Sequence, residues 1–428
     1  MARFLFAAIP ASGHINPTLP IVQALRERGH AVGYATGPSM EGTVAPLATQ
    51  FFPVGPAITA EEALRRWPEL GRLRGKRRLD YMIREVFYSF AATAAREVLD
   101  AVTSWQPDVL VFDGFTHLAG IVADITGLPW ATTTVAPGLL EGEGAHPYGI
   151  RLPYPPNLLQ RCATPLFWSL FRIVARRHDR QFNEIRAEFG LPPVRDSYLK
   201  STISPYVVLA LMPWEFEYPR QDWPPTVHFV GPSLWDRPRD YAVPAWLEAL
   251  PGERPLVYAT IGTVQSIYQS AFFATLFEAA GGLDADVVVT TGGNLSDLPT
   301  PPGNVRVERF VPNSIIIPKA QVVVHHGGLS STMGALLHGK PAVVVPFADD
   351  QPDNAQRVQW LGVGTAVDPA RASSAALRGA IETTLRSADV HKKAAVLART
   401  LQQYDAGQTG ARLLEKLSNT QAPVHRAG

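Results

Sequence analysis

Short runs of uninterrupted apolar residues recur along this chain, each joined to a stretch with helical apolar spacing. RFLFAAIP reads as a strand, Pro17 to Arg28 as a helix closed by Gly29, and HAVGYATG as the next strand. A helix over Ser89 to Ser104 leads to PDVLVFD, then a helix from about Leu118, then LPWATTTV. Strands that are apolar throughout and alternate with helices require a parallel sheet covered on both faces. The pattern restarts later: PLVYATIG, a helix from about Ala271 to Ala280, DVVVTTG, NVRVERFV, AQVVVHHGG, a helix, and PAVVVPF. The fold class is therefore α/β, with two doubly wound, Rossmann-like domains. They are expected to face each other across a cleft, since open parallel sheets bind ligands beyond the carboxyl ends of their strands.

A length of 428 residues fits that division, because one core rarely serves more than a few hundred residues. The first domain is expected over residues 1–230. Its later part, from Tyr148 to Pro232, is rich in proline and scattered aromatic residues around one helix near Leu166 to Phe189. GPSLWDRPRDYAVPAWLEALPGERP reads as a linker, 231–252. The second domain then spans 253–405, and 406–428 form a helix and tail, the helix packing back on the first domain.

The formal net charge of +1 provides no field for nucleic acid or acidic membranes. One cysteine, Cys162, excludes an internal disulfide and any Cys-built zinc or iron-sulfur site. The apolar run of MARFLFAAIPASGH is too short for a secretory signal and lacks a cleavage region. No segment approaches the roughly 20 apolar residues of a membrane span. The expected location is the cytoplasm, without stable membrane insertion, so the Asn294-Leu295-Ser296 sequon is expected to be unused.

Three strand ends carry chemistry. In VVVHHGGLSSTMGALL the two glycines let the backbone turn tightly and approach a ligand. Ser330, Ser331 and Thr332 then begin a helix, whose unpaired N–H groups and dipole favour a phosphate. A diphosphate fits there, although an ordinary N-cap has the same composition. The stretch from Gly334 to Lys340 has P-loop spacing, but Pro341 replaces the required Ser or Thr and the helix-to-strand order is reversed. In PASGHINPTLP, His14 follows the first strand, and Asp113 ends PDVLVFD. Adjacent strand ends bring a carboxylate to a histidine, which orients the imidazole and leaves Nε2 to take a proton from a hydroxyl. Each alone is usually structural; the chemistry needs both. In PFADDQPDN, Asp349, Asp350 and Gln351 suit the hydroxyls of a sugar, and equally a metal or a plain polar turn.

Together these residues resemble the GT-B, family 1 glycosyltransferases, the group containing plant secondary-metabolite and bacterial macrolide glycosyltransferases. The resemblance runs through GHINPTLPIVQALRERGHAV, PDVLVFD, and RFVPN to HHGGLSSTMGALLHGKPAVVVPFADDQPDNAQRV, nearly the whole chain. It implies an acceptor-binding first domain and a nucleotide-sugar-binding second domain. His14 matches the acceptor-deprotonating base and Asp113 its orienting carboxylate. His326, Gly327, Gly328, Ser330, Ser331 and Thr332 match the donor diphosphate site, with Thr263 a second contact to it. Phe310, Val311 and Asn313 fall at the nucleoside, and Asp350 and Gln351 match the pair that holds sugar hydroxyls. No metal and no cofactor are implied beyond the nucleotide-sugar co-substrate.

Three positions depart from the family pattern, all at the nucleoside. Phe310 replaces a tryptophan that stacks on the base, Asn313 a glutamine, and Gly334 a glutamate that grips ribose hydroxyls. Loss of that glutamate makes a thymidine diphosphate sugar a competitor, but the Asp350-Gln351 pair favours a fully hydroxylated hexose, so UDP-glucose is the first expectation. The reaction implied is inverting, metal-independent transfer to a hydroxyl of a hydrophobic acceptor such as a polyketide, flavonoid or terpenoid. Ile15, Phe87, Phe90, Phe115, Phe167 and Phe171 are the candidate acceptor wall, though aromatics at helical spacing equally read as core. The basic run Arg72 to Arg78 reads as a solvated loop, or one touching anionic lipid. A nucleotide-sugar 2-epimerase and a non-catalytic nucleotide-sugar sensor are the rival readings.

Overall fold

The structure, a computed structural model, describes residues 1–58, 60–73, 75–136, 140–142, 154, 156–194, 197–236, 241–250, 252–262, 271–292 and 298–426. Two compact units emerge. One comprises Met1–Ile150, Pro155–Trp235 and Asp405–Gly428, the other Arg151–Tyr154 and Asp236–Tyr404.

The first unit holds seven strands: β1 (Arg3–Ala7), β2 (Ala31–Thr36), β3 (Gln50–Pro53), β4 (Val109–Asp113), β5 (Trp130–Thr134), β6 (Val207–Ala210) and β7 (Val227–Phe229). They form one parallel sheet in the order β3-β2-β1-β4-β5-β6-β7. The chain runs outward on one side of β1 and resumes at β4 on the other, so the order reverses between them. Beyond the carboxyl ends of such a strand pair the flanking loops diverge and leave a crevice. Strands β3, β6 and β7 were not foreseen; β6 and β7 lie in the proline-rich stretch, where local signals were weak.

The second unit repeats the design with β8 (Leu256–Thr260), β9 (Asp286–Thr290), β10 (Val305–Glu308), β11 (Val322–His325), β12 (Ala342–Val344) and β13 (Gly364–Ala366). The parallel order is β10-β9-β8-β11-β12-β13, reversing between β8 and β11, where Thr260 stands opposite His325. Successive strand residues point to opposite faces. Val257, Val287 and Val324 enter a core with Phe273 and Leu377, while Tyr258, Val288 and Val323 enter another with Ile316 and Ile317. Both faces are dry, which is why these strands carry no polar alternation.

Helix boundaries differ modestly from expectation. The helix near Leu166 begins at Leu158, because Asn157 accepts from the Gln160 N–H while the Gln160 side chain accepts from the Asn157 N–H. This capping box satisfies donors that the first turn otherwise leaves orphaned. Much of the stretch read as a linker is packed. Ser233 Oγ donates to Pro17 O at 2.6 Å within the first unit, while Leu247 is buried in the core of the second and Arg306 stacks on Trp246. The basic run is not a plain loop, since apart from Leu73 its described residues fall in helices Glu69–Arg72 and Gly75–Tyr81. Arg78 is buried and donates to Leu70 O.

The helix Ala406–Thr420 lies against the helix Leu19–Glu27 in the first unit. Its small residues permit close approach, since a Cβ at Gly410 would fall 2.6 Å from Ile21 Cδ1. Glu415 accepts from Arg28 Nε at 2.8 Å and lies 2.7 Å from His30 Nε2. The Arg28 hydrogen bond is the main cause that holds the Glu415 pKa down to about 2.

Candidate active site

At the first reversal point, β1 runs into a helical turn, Ser12–Ile15, that presents His14. His14 Nδ1 lies 3.1 Å from Asp113 Oδ1, at the end of β4. The Asp113 backbone carbonyl accepts from the Thr116 N–H and hydroxyl, a tight turn that fixes the loop carrying the carboxylate. Asp113 is 3% exposed against 19% for the His14 side chain, so the carboxylate is shielded while the imidazole meets solvent. The second carboxylate oxygen, Oδ2, is buried and has no hydrogen-bond partner among the described residues. With Nδ1–H donating to the carboxylate, the basic lone pair resides on Nε2. Phe115 closes one side, its ring edge-on to His14 at 4.9 Å.

The other candidate acceptor residues are placed differently. Ile15 is fully buried, because successive residues of a helical turn point in different directions, and here His14 meets solvent while Ile15 turns inward. Phe87 packs at 5.2 Å on His117, and Phe90 lies beneath the Arg66 guanidinium and against Trp67. Phe167 and Phe171 are half-buried on the helix Leu158–Glu188, Phe171 against the buried Trp168. His117 was not foreseen at all. It is buried at φ 48 with neither ring nitrogen paired among the described residues, and burial pushes its pKa down to about 4.

At the second reversal point the turn His325-His326-Gly327-Gly328 leads into the helix Leu329–Leu337. Gly327 adopts φ +93, a left-handed conformation that L side chains resist. The His326 ring lies between two glycines, since a Cβ at Gly262 would fall 2.7 Å from its Cε1 and one at Gly328 2.5 Å from its Nε2. Burial holds the His326 pKa at about 4, partly opposed by a hydrogen bond to the Thr260 backbone. It is therefore neutral near pH 7, with a single ring N–H. Gly328 is the N-cap and the helix has no side-chain cap, so the N–H groups of its first turn are left for a ligand. Thr332 departs from expectation: it is fully buried, and its hydroxyl donates back to Gly328 O at 3.0 Å. One position further along the helix than Ser331, it turns inward. Ser330 is half-buried and Ser331 buried. Thr263 lies outside the described residues.

The nucleoside positions split. Phe310 is 50% exposed, whereas Val311 is buried in core, leaving only its backbone to meet a ligand. Asn313 Oδ1 accepts from Tyr258 Oη at 2.9 Å, which directs its amide hydrogens elsewhere. A Cβ at Gly334 would meet Ile317 Cδ1 at 3.0 Å. In the loop after β12, Gln351 Oε1 accepts from Phe347 N at 2.9 Å and Ala348 N at 3.1 Å, so this oxygen shapes its own turn. Asp350 Oδ2 accepts from Asn354 Nδ2 at 2.9 Å, and the same amide donates to Gly327 O at 2.9 Å. Asn354 and His325 were missed by sequence reasoning. Their signals were position, one a helical turn after Asp350 and the other at the end of a buried strand.

The chain is similar to known proteins over nearly its whole length. Residues 274–404 match the family described as erythromycin biosynthesis protein CIII-like, C-terminal domain. The chain is 32% identical over 423 residues to 4'-demethylrebeccamycin synthase of Lentzea aerocolonigenes, covering 97% of this chain and 99% of that one. It is 26% identical over 393 residues to TDP-daunosamine transferase DnrS of Streptomyces peucetius, covering 86% and 85%. Among solved structures, the glycotransferase of kitacinnamycin shares its fold with a TM-score of 0.72 at 24% identity, covering 97% and 98%. The glycosyltransferase SsfS6 of Streptomyces sp. SF2575, complexed with thymidine diphosphate, does so at 0.66 and 21%, covering 97% and 100%.

Proposed function

Because this chain belongs to the family 1 natural-product glycosyltransferases and has their GT-B fold, we propose that it transfers a hexose from a thymidine diphosphate donor to a hydroxyl of a hydrophobic natural-product acceptor, with inversion. The observation that carries this reading is the 3.1 Å contact between His14 Nδ1 and the buried Asp113 carboxylate at a strand-order reversal. His14 Nε2 takes the acceptor proton as the acceptor oxygen forms its bond to the anomeric carbon. The bond from that carbon to the diphosphate oxygen breaks, and the electron pair leaves with the diphosphate. General-base assistance of this kind contributes roughly 10²–10⁴-fold. The unsatisfied first turn of the helix Leu329–Leu337 supplies N–H donors for the charge that develops on the leaving group, with the neutral His326 ring beside Gly328. These groups serve without a metal ion.

Three observations support thymidine over the uridine diphosphate glucose expected first. TDP-daunosamine transferase names such a donor, and SsfS6 is known with thymidine diphosphate bound. Gly334 offers no carboxylate for a ribose 2'-hydroxyl, and Ile317 Cδ1 fills the space where a side chain would start. Asp350 retains a role toward sugar hydroxyls, while Gln351 contributes less than expected because its carbonyl oxygen is engaged in its own turn.

The test is thymidine diphosphate release with and without a pooled set of aromatic and macrocyclic acceptors. Release should require acceptor and fall at least about a hundredfold in His14→Ala, with thymidine diphosphate binding retained. Acceptor-independent turnover would point to an epimerase or a hydrolase, and undiminished transfer by the variant would remove His14 from the mechanism. Binding without any turnover would favour a sensor.

A further inference from the structure

Asn354 sits one helical turn after Asp350 in the helix Gln351–Trp360 and is 6% exposed. Its two amide hydrogens go to different loops. One reaches Gly327 O in the turn after β11, and the other reaches Asp350 Oδ2 in the loop after β12, both at 2.9 Å. Gly327 is held from its other end as well, its N–H donating to His325 Nδ1 at 3.0 Å. The two loops also abut directly, since a Cβ on Gly327 would fall 2.9 Å from the Gln351 carbonyl oxygen.

The consequence follows from peptide geometry. In a planar trans peptide the C=O and the following N–H point in opposite directions. Drawing the Gly327 carbonyl onto Asn354 therefore turns the Gly328 N–H away from it, at the N-cap of the uncapped helix Leu329–Leu337. A peptide flipped the other way would present a carbonyl oxygen, which repels phosphate, where an N–H attracts it. The second amide hydrogen meanwhile anchors one oxygen of Asp350 and so sets the direction of its carboxylate.

We propose that Asn354 is a positioning residue for the donor, holding the diphosphate-facing turn and the sugar-facing Asp350 at one fixed spacing. This rests on the donor reading above. Asn354 touches no substrate in this account; it acts through Gly327 and Asp350.

Calorimetric titration of thymidine diphosphate and of TDP-glucose into wild type, Asn354→Ala, Asn354→Asp, Asp350→Ala and the Asn354→Ala/Asp350→Ala double variant tests it. The sugar's contribution is the ratio of the two affinities. Loss of Asn354 should weaken thymidine diphosphate itself about tenfold, the worth of one hydrogen bond to a critical group, and also reduce the sugar's contribution. Asp350→Ala should reduce only the sugar's contribution, and the double variant should reduce that contribution no further than Asp350→Ala does. Asn354→Asp keeps the volume but loses both donations and adds a charge beside Asp350, so it should bind at least as poorly as Asn354→Ala. A merely structural tie would lower the thermal midpoint and leave both quantities at wild-type values, which overturns the proposal, as would fully additive losses. If wild type binds no nucleoside diphosphate, the donor reading falls and this inference with it. If wild type binds and the Asn354 variants match it, only the inference falls.

Discussion

Replacing Asp113 by Asn removes a charge and leaves the shape. In the ground state the carboxylate accepts from His14 Nδ1 at 3.1 Å; when Nε2 takes the acceptor proton, the ring becomes a cation beside an anion. Unit charges about 4 Å apart at an effective dielectric of about 20 attract by about 4 kcal/mol. Asp113 is only 3% exposed, so water screens the pair weakly. An asparagine oxygen retains a dipole and part of that attraction, which leaves a loss of about 2–4 kcal/mol in the transition state, roughly 30- to 1,000-fold in rate. A rotated amide would instead donate to Nδ1, move the ring proton to Nε2 and abolish the base, which places the result at the upper end. The assay is kcat/KM for acceptor-dependent thymidine diphosphate release, with thymidine diphosphate affinity measured in parallel. Affinity should be unchanged, because the residues proposed to bind the donor belong to the second unit. A loss below about threefold in a folded variant would refute the electrostatic role of Asp113.

Two further outcomes follow from packing and burial. Gly334→Glu with Ile317→Val, which clears the contact that a new Cβ would make at 3.0 Å, should shift donor preference from thymidine to uridine diphosphate sugars by roughly tenfold or more, the scale of a hydrogen bond to a charged group; competing-donor assays check it, and an unmoved ratio counts against Gly334 as the ribose position. His117 and His325 are buried with pKa values held at about 4 and about 3 by desolvation, against an ordinary 6.5. Their unfolded forms bind protons first, so the stability they permit is complete above roughly pH 6.5 and is lost as pH falls toward those folded values, by about 1.4 kcal/mol per pH unit for each. Thermal midpoints between about pH 7 and pH 4.5 should fall steeply in wild type and less so in His117→Phe; equal slopes would show that His117 does not drive the acid transition.

The doubly wound class was legible because it depends on a local property. A strand buried on both faces must be apolar through its middle, and the VVV runs of DVVVT and VVVH are. Two short edge strands were not legible, since QFFP and GTA carry no such run and are stabilised by a neighbour that only the fold supplies. Phe115 and Ile15 make the same point at the site. Both stood near a motif, yet one faces His14 and the other is interior, a difference of direction that no spacing argument resolves. Arg78, read as part of a solvated loop, is inside because Leu70 O offers it a partner.

What the linear order of residues determined by itself was the strand-and-helix alternation and the chemical groups at strand ends: a histidine after β1, an aspartate ending β4, glycines after β11, carboxylates after β12. Those follow from short-range sterics and solvation, which act within a few residues. What only the tertiary structure decided was which of these groups meet. Strand order placed β1 beside β4, 99 residues apart at the His14 and Asp113 contact, and packing aimed one amide of Asn354 at two loops. Such pairings depend on where whole elements come to rest, and that is fixed by burying every apolar face at once rather than by any single segment.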